Sequence, residues 1–158
     1  MITRKRAYRG KRLGRGGFTV VELLISLATT GVLLAMGYGS FRQYAEAVTA
    51  RKASLQFAAD VGLTRSIAIQ RRASISLVAD VNNLDYVIRD QAGTVLMRRD
   101  FGRGSDLPLS QMTISTAGDS LTFNSRGLLT GGRAEAVMAR RGRSHLVEIN
   151  ALGRTSVD

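Results

Sequence analysis

The chain contains no cysteine, which rules out disulfides and thiolate metal sites and neither requires nor excludes an oxidising compartment. It has one histidine, His145, directly after Ser144. In an extended segment neighbours point to opposite faces, which argues against a Ser-His catalytic pair and leaves His145 an ordinary strand residue. Glycines are plentiful near the start, but none stands in a Gly-Lys-Ser/Thr phosphate loop after a strand. Asp85, Asp90, Asp100 and Asp106 lack the spacing of a calcium loop. No acid, base and nucleophile converge, so the chain reads as a non-enzyme that needs no cofactor and holds no metal. Internal repeats and low-complexity tracts are also missing.

Acidic residues are missing from one region in particular. Arg4, Lys5, Arg6, Arg9, Lys11, Arg12 and Arg15 precede the first acid, Glu22. They supply seven of the formal +11 charges on 158 residues, leaving about +4 on the remaining side chains. The high charge therefore belongs mainly to a leader, residues 1–17, that lacks periodicity and is predicted to be unstructured. Such a leader stays on the cytoplasmic side by the positive-inside rule. What remains fits one small domain beyond a hydrophobic helix.

The dominant feature is GFTVVELLISLATTGVLLAMGY, Gly17 to Tyr38, with a single charge at Glu22. As a helix it reaches roughly 30 Å, the thickness of a bilayer's hydrocarbon core. A secretory signal peptide is one reading, since Ala45-Glu46-Ala47 has the small-x-small look of a peptidase site. The apolar run is long for that role, the site lies well past its end, and an acid at its start fits poorly.

Gly17, Phe18, Thr19, Val20, Val21, Glu22 and Leu23 resemble the prepilin cleavage and methylation motif of type IV pilins and type II secretion pseudopilins. The resemblance implies cutting between Gly17 and Phe18 by a prepilin peptidase/methyltransferase and N-methylation of Phe18. It also implies that the apolar segment stays on the mature protein as an assembly element. Burial supplies a physical role for Glu22: a carboxylate in apolar surroundings needs a cation or a proton. The Phe18 amine of a neighbouring subunit would be that cation and would favour one axial register. Alternatively, Glu22 is an acid at a helix start, favoured by the dipole and able to snorkel to the interface.

Beyond Tyr38 the helical period continues through Phe41, Tyr44, Val48, Leu55, Ala59, Leu63 and Ile67, with Arg42, Glu46, Asp60 and Arg65 mostly elsewhere on the circumference. This predicts one long helix to about Gln70, its first half (18–38) in the membrane and its amphipathic second half (39–72) packed on a domain. Gly31, Gly37 and Gly39 are points where a bend is cheap. Residues 73–158 read as a β-rich domain. Ser74–Ala79 is a predicted strand followed by a turn at Asn82-Asn83. Tyr86–Arg89 and Thr94–Arg98 form a predicted hairpin around Gly93. A Gly, Ser and Pro loop follows, Phe101 to Pro108. Gln111–Thr116 and Ser120–Phe123 are predicted to pair around Ala117-Gly118-Asp119. Glu135–Ala139 and His145–Asn150 are predicted to pair through Arg140-Arg141-Gly142-Arg143. The expected class is α+β, a long helix followed by antiparallel sheet.

Leu121 to Gly127 and Val147 to Arg154 are similar to the F-x-x-x-G segment and the closing Gly-Arg strand of the GspH/FimT branch of the pseudopilins. That branch implies an N-terminal α-helix on two small β-sheets. It also implies a minor subunit of a type II secretion pseudopilus that takes part in protein export. The partners implied are other pseudopilins in a hetero-oligomeric fibre and an inner-membrane assembly platform. The helix would cross the bacterial inner membrane once, N-terminus cytoplasmic and β-rich domain periplasmic. The alternative is a FimT-like minor type IV pilin that binds DNA during transformation through Arg140, Arg141, Arg143 and Arg154. FimT-like DNA binders are marked by a terminal Gly-Arg-x-Arg, and here Ser156 stands where the second arginine belongs. The modest charge of the mature chain also argues against nucleic acid as the partner.

Mass spectrometry of the membrane-extracted protein is expected to show a mature chain that begins at an N-methylated Phe18. A chain that begins at Val48 would return it to the signal-peptide class.

Overall fold

The structure is a computed structural model that describes residues 17–116 and 118–158. The leader through residue 16, and Ala117 of the expected 117–119 turn, lie outside the described residues. The elements are helix α1 (Val20–Arg71) and strands β1 (Ile75–Asp80), β2 (Asp85–Asp90), β3 (Val95–Asp100), β4 (Gln111–Ile114), β5 (Ser120–Phe123), β6 (Ala134–Arg140), β7 (Arg143–Ile149) and β8 (Thr155–Val157). Two compact units divide between Gly39 and Ser40.

In the first unit the large apolar side chains from Phe18 to Tyr38 are exposed. Thr19 caps the helix: its Oγ1 accepts from the Glu22 N–H at 3.2 Å and its carbonyl from the Leu23 N–H at 3.1 Å. The hydroxyls within the apolar run donate to the helix's own backbone, Ser26 to the Glu22 carbonyl, Thr29 to that of Ile25 and Thr30 to that of Ser26, at 2.7–2.9 Å. These three donors are thereby satisfied without water, which suits a hydrocarbon environment.

In the second unit the rest of α1 packs on two four-stranded antiparallel sheets, ordered β3-β2-β1-β5 and β4-β6-β7-β8. Alternating residues fill one core: Ile75, Leu77, Tyr86, Ile88, Leu121 and Phe123 from the first sheet, and Met112, Ile114, Ala136, Met138, Val147 and Ile149 from the second. Phe57 of α1 meets Tyr86 edge-on at 5.5 Å between centroids, and Tyr86 meets Phe101 at 5.7 Å.

Two expectations are corrected. Gln111–Thr116 and Ser120–Phe123 do not pair with each other: β4 pairs with β6, and β5 pairs with β1. Both present apolar residues to the core, and the chain crosses between sheets at 116–119. The ends of this crossover are already bound to different sheets. Ser115 N–H donates to the Glu135 carbonyl at 2.8 Å, and Ala79 N–H to that of Asp119 at 2.9 Å. Gly118 and Asp119, both at positive φ, make the turn possible.

The second correction concerns the helix face. Leu55, at 50% exposure, Ala59, and Leu63, at 42%, point outward, and Ile67 is only half-buried. The face on the sheets is Ala50, Ala53, Ser54, Phe57, Asp60, Val61, Thr64 and Ala68. Small side chains let the helix backbone approach the strands, so the closest face is not the one with the largest aliphatic residues. Asp60, expected on the polar side, is 4% exposed.

That buried carboxylate has several partners. Its Oδ2 accepts from the Tyr86 hydroxyl at 2.5 Å and from Arg99 Nε at 3.0 Å, and its Oδ1 accepts from Gln56 Nε2 at 3.1 Å. Burial, reinforced by Asp60, pushes the Tyr86 hydroxyl far above the ordinary tyrosine range, so it donates at every physiological pH. The hydrogen bond to Asp60 likewise raises Arg99. Helix, β2 and β3 are thereby fixed in one register. Asp60→Ala orphans the buried tyrosine donor and is expected to cost about 2–4 kcal/mol. Asp60→Asn, which still accepts from Tyr86, is expected to cost about 1 kcal/mol. Urea unfolding of the full chain in detergent measures both.

Candidate functional site

The residues expected to take part in processing and assembly lie at the helix start. Gly17 and Phe18 precede α1, and Phe18 is 82% exposed. Glu22 is exposed in the first turn, with its backbone N–H held by the Thr19 cap. Thr19-Val20-Val21-Glu22 has the sequence of a capping box, of which the Thr19 half is formed, so the helix start depends on Thr19. The sequence reading assigned Thr19 no part of its own, although a hydroxyl three residues before a glutamate was a legible signal. By contrast, Ala45-Glu46-Ala47 lies inside α1, and Glu46 is tied to a strand turn, so it is not an extended segment open to a peptidase.

Three of the four candidate arginines share one hairpin turn, and the fourth, Arg154, stands apart from them. Strands β6 and β7 join through a two-residue turn, Arg141-Gly142, both at positive φ, with Arg140 directly opposite Arg143. Arg154 follows the far end of β7, about 20 Å from Arg143 along the strand. Arg140 Nη1 donates to the Pro108 carbonyl at 3.0 Å, and Arg141 Nη1 to Glu46 Oε1 at 2.8 Å. Glu46 also accepts from Arg42 at 3.4 Å, and the hydrogen bond from Arg141 chiefly holds its carboxyl below the usual range. Near Arg154, Arg133 is paired with Glu148 at 2.9 Å. The C-terminal end is therefore a mixed-charge surface.

Comparison with known proteins matches residues 53–153 to the family model described as Type II transport protein GspH. The chain belongs to the GspH family. Its fold is that of the pilins and pseudopilins. The type IV minor pilin FimU of Pseudomonas aeruginosa superposes with a TM-score of 0.57 at 21% identity, covering 75% of this chain and 92% of that one. The minor pseudopilin EpsH from the Type 2 Secretion System of Vibrio cholerae superposes with a TM-score of 0.53 at 15% identity, covering 69% and 95%. No curated protein sequence matches the chain. GspH-family and pilin-fold proteins are structural subunits that assemble with others of their kind.

The structure gives the family's C-terminal glycines a physical task. Gly127 and Gly153, from the F-x-x-x-G and Gly-Arg segments, both lie against Arg65 of α1 at positive φ. Arg65 Nε donates to the Gly127 carbonyl at 3.2 Å. A Cβ on Gly153 would stand 2.7 Å from the buried Phe123 ring and 2.8 Å from Arg65 Cδ. One on Gly127 would meet Ile69 Cδ1 at 2.6 Å and Cγ1 at 2.8 Å, both on an exposed side chain that can turn away. Gly153→Ala is therefore expected to destabilise the protein by about 2–4 kcal/mol, and Gly127→Ala by about 1–2 kcal/mol. Thermal unfolding of the two variants checks the order.

Proposed function

We propose that this GspH-family chain is a minor pseudopilin of a type II secretion system, a non-enzymatic subunit of the pseudopilus that takes part in protein export. The observation that carries the reading is the coincidence of two separate signals. The family match begins at residue 53, whereas the prepilin motif lies at Gly17–Leu23, outside the matched span. In this reading prepilin peptidase removes residues 1–17 and methylates Phe18. Residues 18–38 cross the inner membrane with the N-terminus cytoplasmic, 39–72 continue the helix, and 73–158 form the periplasmic domain. The exposed apolar surface of α1 supports this, because water penalises such a surface unless lipid or neighbouring helices cover it. Other pseudopilins and the assembly platform are the partners. The alternative is a DNA-binding minor type IV pilin, and the separation of Arg154 from Arg140, Arg141 and Arg143 weighs against it.

Glu22 separates an assembly helix from an anchor. A neutral residue should insert at least as well, because inserting the charge is the costly step. Glu22→Leu is expected to be cleaved and embedded normally, yet to cross-link poorly to other pseudopilins and to lower secretion of a reporter. Normal cross-linking and secretion by a correctly processed Glu22→Leu protein would falsify the pairing of Glu22 with the Phe18 amine. Loss of transformation with intact secretion on deleting the whole gene would favour the DNA-binding alternative.

A further inference from the structure

A concave cleft of about 530 Å³ opens between the 101–110 loop and the β6–β7 turn. Arg103, Arg140 and Arg141 line it together with Ser110, Pro108 and Leu109, and no acidic residue does. Arg140 and Arg141 are oriented by the Pro108 carbonyl and Glu46. The turn is further held by the Arg141 N–H, which donates to Ser110 Oγ at 3.0 Å. Arg103 is exposed and makes no hydrogen bond or ion pair among the described residues. Arg141 is paired with Glu46, so Arg103 and Arg140 are the guanidinium groups without an acidic partner among the described residues around a space the size of a small-molecule site, with apolar walls from leucine and proline. Guanidinium forks match phosphate oxygens in geometry and charge.

The chain limits where this cleft can be. Glu46, bonded to Arg141, lies eight residues past Tyr38, about 12 Å of helix. Even a fully extended chain of eight residues spans no more than about 29 Å. If Phe18–Tyr38 crosses a bilayer, this length of chain alone keeps the Glu46–Arg141 pair within that distance of the end of the membrane segment. A nucleic-acid strand would instead need cations spread along a surface, and Arg154 stands at the other end of the sheet.

We propose that this cleft binds the phosphate headgroup of an anionic phospholipid, with Arg103 as the free guanidinium that recruits it and Arg140 and Arg141 as its fixed walls. The proposal rests on the membrane-spanning reading above. It gives the subunit a second, polar attachment to the membrane surface.

The test reconstitutes the full chain in nanodiscs of equal phosphatidylglycerol and phosphatidylcholine, then extracts it into detergent and identifies the retained lipids by native mass spectrometry. Wild type is expected to retain phosphatidylglycerol preferentially. Arg103→Glu, which breaks no hydrogen bond or ion pair among the described residues, is expected to lower that preference by about fivefold or more, and Arg103→Lys to keep most of it. Equal retention by wild type and Arg103→Glu, both embedded in the disc, overturns the site and leaves the pseudopilin reading standing. A chain that does not enter the disc overturns both. Two further arms replace the lipid with inorganic phosphate or duplex DNA. Arg103-dependent binding of either one, without phosphatidylglycerol preference, overturns the lipid assignment in favour of that ligand.

Discussion

The folded unit depends on a carboxylate placed where water cannot reach it. Asp60 faces the sheets, and removing its charge from water is tolerable only because Tyr86, Arg99 and Gln56 all donate to it. Gln56 belongs to α1 itself, but Tyr86 and Arg99 come from β2 and β3, so the helix can dock in only one rotation and one axial position. A purely apolar contact would tolerate sliding by a turn; a buried carboxylate with required partners on two strands does not. This specificity, more than added stability, is what the network contributes.

Rotation of the helix decides what remains for others. With Asp60 inward, Leu55, Ala59 and Leu63 face outward, on the side opposite the core. The apolar stripe that periodicity reveals is thus on the outer surface of the unit. The hairpin turn at Arg141 reaches the same helix at Glu46 from the opposite sheet, so both sheets hold α1 through polar as well as apolar contacts.

Much of this architecture was legible in the sequence. The long helix, the β1–β2–β3 meander and the β6–β7 hairpin follow from a 3.6-residue period giving way to short runs bounded by Asn82-Asn83, Gly93 and Arg141-Gly142. What stayed hidden was tertiary. Small residues such as Ala50, Ala53 and Ser54 do not stand out in a hydrophobic pattern, yet they set the close face of the helix. Asp60 looked solvated because its partners lie 26 and 39 positions away. β8, three residues long, was too short to signal itself and exists through pairing with β7. The separation of Arg154 from the other three arginines depends on which end of a strand each occupies, which composition does not report.

The crossover at residues 116–119 entangles the two sheets in chain order. The first sheet takes its fourth strand from a position after the second sheet has already begun, and Leu129 then bridges back to Phe123 while donating its N–H to Ala151. Neither sheet is therefore a continuous piece of chain, and neither can be cut away without removing a strand or a tie from the other. Each sheet is the other's missing part, so the β-rich region has no smaller module to shed or exchange. A lineage can vary its exposed loops freely, but it inherits the pair of sheets whole.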